Sequence, residues 1–176
     1  MEDVARLIPA GNRVLDIGAY DGKFAEMLRG CEVVGIDVEP KGEGVIQATV
    51  TALPFKDKVF NYVVAMEILE HLDNEELGKA MDEIVRVARD AVIVSVPLDE
   101  VPLGEGHKQR FSRKRMIEWL PQPGIVMEIG EREKYIGVRK WLGERSRKAL
   151  WLWNMMFGDR KVKGATWIVV KYRMGA

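Results

Sequence analysis

The chain has 176 residues, 47% of them hydrophobic, and no apolar run approaches the ~20 residues that a membrane helix needs, so the sequence predicts one soluble domain, 1–176, with a sizeable core. Cys31 is the only cysteine, which excludes an intramolecular disulfide framework and a multi-cysteine metal site, and no metal is expected. Net charge is zero but uneven: residues 1–106 carry 10 Lys/Arg against 21 Asp/Glu, and residues 107–176 carry 17 against 6. Such asymmetry marks either a surface for an anionic partner (nucleic acid, phospholipid headgroups or an acidic small molecule) or a solvated surface whose two ends differ.

The first segment, MEDVARLIPAG, reads as an acidic, capped helix without the shape of a signal peptide, and a cytoplasmic location is expected. RVLDI (13–17), EVVGID (32–37), FNYVVA (60–65) and AVIVSV (91–96) are short runs rich in β-branched residues and read as buried strands. Cys31, at the edge of the second, is placed to pack rather than to react. Between the first two strands KFAEMLRG carries Phe24, Met27 and Leu28 with Gly30 as a stop, a helix of about two turns. EPKGEGVIQATV (39–50) is too short for a full crossover helix before a third strand at 44–48. NEELGKAMDEIVRVAR sets Leu77, Met81, Ile84, Val85 and Ala88 on one face behind an Asp73 or Asn74 cap. Strands alternating with helices imply a parallel sheet with right-handed crossovers. Beyond Pro97 come a loop rich in Pro and Gly, a helix around SRKRMIEWL, a strand near IVMEIG, an aromatic and basic segment at 137–157, and a closing strand ATWIVVKYR.

In such a sheet ligands sit beyond the carboxyl ends of the strands at the switch point, where Asp16, Gly18, Gly22 and Asp37 gather. Gly18 lets the backbone approach a ligand, and Asp37 can accept hydrogen bonds from ribose hydroxyls. In VLDIGAYDGKF (14–24), however, Tyr20 stands where dinucleotide turns have a glycine, and Asp21 sits inside the turn. A diphosphate is poorly served by that loop, whereas a ligand bearing an ammonium and a sulfonium is favoured by its charge.

VLDIGAYDGKF, VVGIDVEP, TALPFKDKVFNYVVAMEILEHL and AVIVSVP together resemble the class I S-adenosylmethionine-dependent methyltransferases, especially their compact small-molecule branch. The LPF…HL run (53–72) is the most specific part; the motifs span 13–97, and GHKQRFS (106–112) looks like the loop that follows the fifth strand. The resemblance implies a Rossmann-like α/β fold with a mostly parallel sheet of about seven strands, helices on both faces, and an antiparallel final strand. It implies S-adenosylmethionine as cofactor and S-adenosylhomocysteine as product. Asp16 and the Gly18 backbone would then hold the methionine ammonium, Asp37 the ribose, and Val38 would flank the adenine. Thr49 occupies the place of an aspartate that contacts adenine in many relatives, and Asn61 replaces a common aspartate in a structural position. Met66 and Glu67 would lie near the sulfonium and methyl. The expected cofactor set is completed by Ala19, Tyr20, Gly22 and Val50.

Methyl transfer is an in-line displacement governed by alignment, so no acid–base triad is required. Where an acceptor must lose a proton, His107, His71 or Glu70 can serve as base; His71 is alternatively a residue that fixes its loop. Acceptor choice falls to the amino-terminal helix and to the segments within 98–160. The stretch 137–157 combines Arg139, Lys140, Arg145, Arg147 and Lys148 with Trp141, Trp151, Trp153 and Phe157. It can lie on a membrane surface, cover a lipophilic acceptor, grip RNA together with residues 107–115, or pack on the sheet or a dimer interface. Three functions follow: methyl transfer to a small acceptor, lipophilic or anionic; methylation of RNA or protein through the basic carboxyl-terminal third; or cofactor binding without transfer. The sequence sets no oligomeric state.

Overall fold

Side chains alternate across a strand, and here both sets are apolar, so the central strands are buried on two faces. The computed structural model describes residues 1–99, 103–112 and 114–116 and the backbone of 125–129 and 167–173. Strands β1 (Arg13–Ile17), β2 (Glu32–Asp37), β3 (Ile46–Gln47), β4 (Phe60–Met66), β5 (Ala88–Pro97), β6 (Ile125–Ile129) and β7 (Trp167–Arg173) form one sheet, ordered β3-β2-β1-β4-β5-β7-β6. The first five pair in parallel, and β7 runs antiparallel to both β5 and β6. The order reverses between β1 and β4, and the carboxyl ends of β1 and β2 lie beside that switch point.

Helices cover both faces. On one, α3 (Asn74–Val87) buries Leu77, Ala80, Ile84 and Val87 against Leu15, Ile17, Val63, Ala65, Val92 and Val94. On the other, α1 (Glu2–Ala5) and α2 (Lys23–Met27), with flanking residues, bring Val4, Ile8, Phe24 and Leu28 onto Val14, Val64 and Ile93. Cutting a fully buried Leu15 or Ile84 back to alanine removes about 2–5 kcal/mol of stability. Asp73 caps α3: its carboxylate accepts from Glu75 N and Glu76 N, and Glu76 returns the bond to Asp73 N.

The structure corrects several boundaries. α3 stops at Val87 and the chain passes without a loop into β5 at Ala88, which pairs with Phe60. Ala88 therefore belongs to the strand, and Ala80 and Val87 are helix core positions that the apolar pattern missed. α2 is little more than one turn rather than two, and its N-cap, Gly22, is in the left-handed region. β3 lies within the expected 44–48 but keeps only two residues. The crossover before it carries no helix, as its length requires. Of the helix around SRKRMIEWL, residues 114–116 are described and helical; the segment 137–157 lies outside the described residues. Cys31 is half-buried against the α1/α2 face with Sγ 3.4 Å from Pro9 O. Among the described residues no helix is long and apolar enough to cross a membrane.

The LPF-x-D signature turns out to be a clamp. The Arg86 guanidinium on α3 donates to Leu53 O, Phe55 O, Asp57 and Glu83, while Glu83 accepts from Leu53 N at 2.7 Å. Asn61 is structural as well: it accepts from Arg13 N and donates to Asp90 at 2.6 Å, tying β1, β4 and β5 together at their amino ends.

Candidate functional site

The end of β1 and the turn after it are held by main-chain bonds. Gly18 N and Ala19 N both donate to Ile36 O at 2.9 Å, which pins the turn to β2. Asp37, at the end of β2, accepts from Tyr20 N at 2.9 Å on one oxygen and from Glu39 N at 2.8 Å on the other. A carboxylate offers about four lone-pair directions, so Asp37 keeps acceptor capacity for a ligand hydroxyl. Tyr20 O in turn accepts from Lys41 N and Gly42 N. A Cβ on Gly42 would stand 2.5 Å from Asp21 O, and one on Gly35 would stand 2.8 Å from Ala19 Cβ, so both glycines exist to let this turn close. Gly35 inside a strand was the sequence signal for that approach.

Asp16 is 2% exposed, and burial, reinforced by the negative Asp37, pushes its carboxyl up to about 7. Charge on Asp16 is thus disfavoured by its burial and by the negative Asp37, and a cation beside it would favour the ionised form. Asp21, the acid inside the turn, does not share in this: its carboxylate is bonded to Lys23 Nζ and Lys23 N, and Lys23 holds it below the usual range. The cationic preference read from the loop therefore resides in Asp16 and Asp37.

Tyr20 is 56% exposed and has φ +45°, the left-handed conformation that the absent glycine would adopt without strain. Gly18 has φ +79°, and a Cβ there would overlap Ile68 Cδ1, so Ile68 lies directly against the turn. No motif pointed to Ile68. Val38 is exposed beyond β2, as an adenine neighbour would be, whereas Val50 is buried in the core and Ala19 is buried in the turn itself. Thr49 Oγ1 is 2.9 Å from Thr51 Oγ1, an internal partner that a ligand would have to share. Met66 leans on the α1/α2 cluster.

The far side of the site begins at Glu67, whose φ is +55°. Its main chain donates to Ser95 O at 3.1 Å, and Ser95 Oγ donates to Glu67 Oε1 at 2.7 Å. A 3-10 turn, Leu69–His71, follows. Glu70 is buried, His71 exposed and His107 half-buried, and the three residues named from sequence as candidate bases come together: one donor atom of each lies within 4.8 Å of the others. His71 Nδ1 is 3.2 Å from Gly106 O, the loop-fixing bond weighed for it.

A glycine turn after β1 with carboxylates at the ends of two adjacent parallel strands is the arrangement of Rossmann-like folds, whose ligands sit at this switch point. The family model for a "Methyltransferase domain" matches residues 15–96. A tRNA (carboxymethyluridine(34)-5-O)-methyltransferase from Arabidopsis thaliana is 28% identical over 98 residues, covering 51% of this chain and 24% of that protein. Among solved structures, the 1,6-didemethyltoxoflavin-N1-methyltransferase of Burkholderia thailandensis, with bound S-adenosylhomocysteine, has TM-score 0.70 at 17% identity over 99% of this chain and 76% of that one. The [4+2]-cyclase SpnF matches at TM-score 0.68 and 16% identity, over 99% of this chain and 80% of that one. These two likenesses concern the fold alone. The chain spans about a quarter to two fifths of the length of the curated relatives it matches first. Residues 15–96, a little under half of the chain, thus carry a likeness to the class I S-adenosylmethionine-dependent methyltransferases. S-adenosylmethionine is the methyl donor of those enzymes.

Proposed function

We propose that the protein transfers a methyl group from S-adenosylmethionine to a small acceptor, lipophilic or anionic, by in-line displacement. The observation that carries the reading is the buried Asp16, which feels the charge of Asp37, beside a turn whose Gly18 and Ala19 amides are already committed to Ile36 O, an anionic cradle suited to an ammonium and a ribose and ill suited to a diphosphate. In this reading Asp16 and the Gly18 main chain take the methionine end, and Asp37 the ribose. Val38 and Thr49 line the adenine, Tyr20 covers the turn, and Met66 and Glu67 flank the sulfonium. Ser95 holds the Glu67 carboxylate and Ile68 packs on Gly18, so the residues after β4 are positioned before an acceptor arrives. An acceptor that must lose a proton meets Glu70, His71 and His107, which hold the only imidazoles in the chain.

A second reading, methylation of RNA, is supported by the tRNA-modifying relative and by the excess of Lys/Arg after residue 106. Incubating the protein and labelled S-adenosylmethionine with cell extract tests both. Label in the soluble metabolites supports the first reading and label in RNA the second. An absence of S-adenosylhomocysteine binding by calorimetry overturns both.

A further inference from the structure

The cysteine count excludes a multi-cysteine metal site, but it says nothing about nitrogen and carboxylate donors that only folding brings together. Glu70, His71 and His107 supply such a set, one carboxylate and two imidazoles within 4.8 Å. The segments that carry them are joined independently of the three side chains. Lys108 N and Gln109 N both donate to Glu70 O, at 2.7 and 3.0 Å; Gln109 Nε2 donates to Asn74 Oδ1 at 3.0 Å; and Lys108 Nζ pairs with Glu76 at 3.1 Å. The donors are therefore held together by the fold and do not need an ion to assemble them.

The orientation of His71 is the second observation. A carbonyl oxygen can only accept, so the neutral ring carries its proton on Nδ1 toward Gly106 O, and Nε2 keeps a lone pair. A second-sphere carbonyl of this kind is what fixes the tautomer of metal-binding imidazoles. The His107 ring stands edge-on to that of His71, with centroids 4.8 Å apart. Glu70 forms a buried floor, and the imidazoles form the side open to solvent, which gives an ion a way in. Donors around a tetrahedral ion stand about 3.3 Å apart, so the set would draw in from its 4.8 Å span on binding.

We propose that Glu70, His71 and His107 bind one divalent transition-metal ion of the Zn2+ type, with a coordination position left open for an oxygen ligand. Two nitrogens and one carboxylate suit such an ion and not Ca2+ or Mg2+, which prefer oxygen donors. The clause that concerns catalysis rests on the methyl-transfer reading: an acceptor oxygen in the open position would lose its proton more readily beside the ion, and the imidazoles would act as ligands instead of bases.

The test titrates the full chain, free of any histidine tag and stripped with a chelator, with Co2+, whose visible absorption reports nitrogen coordination. The expected result is a saturable band at one equivalent that Zn2+ abolishes, with Kd raised at least about tenfold in His71→Ala, His107→Ala and Glu70→Gln. Circular dichroism of each variant verifies folding, and His107→Ala, in the loop, leaves the buried carboxylate in place should Glu70→Gln fail to fold. No band with wild-type protein at millimolar Co2+ overturns the proposal, as does a band unchanged in the folded His71→Ala/His107→Ala double variant. S-adenosylhomocysteine binding measured on the stripped protein separates the two readings: its absence overturns methyl transfer, while the Co2+ band alone decides the metal.

Discussion

The two sides of the site are made differently. On the cofactor side the turn after β1 and the end of β2 lie between residues 16 and 42, and there most of the work is done by main chain: amides pinned to Ile36 O, a carboxylate stitched to Tyr20 N and Glu39 N, and glycines where backbones touch. On the acceptor side the groups are side chains from distant segments, and their positions depend on a loop hung from Glu70 O and Asn74. A side built from local backbone resists change except where a side chain is forced into a glycine's space. A side built from tertiary contacts is adjusted by any residue that holds the loop.

Breaking the first side should have the largest effect. Gly18→Val puts a branched side chain at φ +79° and into Ile68, and is expected to abolish S-adenosylhomocysteine binding by calorimetry and to lower the melting temperature. Asp16→Ala should weaken binding by roughly 30-fold or more, the loss typical of removing one partner of a buried charge pair, without unfolding the protein.

Asp16 sharpens the comparison through pH. The folded, ligand-free chain keeps the Asp16 proton up to about pH 7, whereas the unfolded chain loses it near pH 4. The folded state binds the extra proton in that window. The stability this group contributes is full below about pH 4 and is lost as pH rises through about 7. Asp16→Asn, which carries no charge, should therefore be the more stable protein at pH 8, by on the order of 2 to 4 kcal/mol in denaturant titrations without ligand, while binding cofactor poorly. A cationic ligand needs the ionised form, so wild-type affinity should fall below pH 7 and binding should release protons, a result calorimetry in buffers of different ionisation enthalpy would read. Equal stability of the two proteins at pH 8 would remove the account of Asp16 as a charge held ready for a cation.

The acceptor side should respond in a different quantity. Gln109 is buried and bridges Asn74 to Arg115. Gln109→Ala should slow methyl transfer several-fold and cost roughly 1–3 kcal/mol of stability, with the affinity for S-adenosylhomocysteine unchanged. A change in cofactor affinity equal to the loss in rate would show that the two sides are not separable. The smallest effect belongs to Tyr20→Gly. Relief of the φ +45° backbone and the extra freedom of the unfolded chain nearly cancel, leaving stability within about 1 kcal/mol and cofactor binding intact.

Much of this was legible in the chain. Buried parallel strands announce themselves as β-branched runs, and Asp16, Gly18 and Asp37 could be placed because a strand end and the turn after it are local events. The LPF-x-D stretch was legible as a signature but not as a clamp, since Arg86, its partner, is one arginine among many on an amphipathic helix. The junction at Val87 and Ala88 was missed for want of any turn residue to mark it. Ile68 was missed because nothing in its own neighbourhood says that it packs on Gly18.

By itself the sequence determined the alternation of strand and helix and the acids at the switch point, which follow from local periodicity and spacing, and it carried the methyltransferase resemblance in motifs spread over 13–97. Only the tertiary structure decided that Asp21 is spent on Lys23, that Asp16 is buried enough to hold a proton near neutral pH, and that Glu70, His71 and His107 meet. Burial and convergence depend on which segments pack on which, and chain spacing carries no record of that packing.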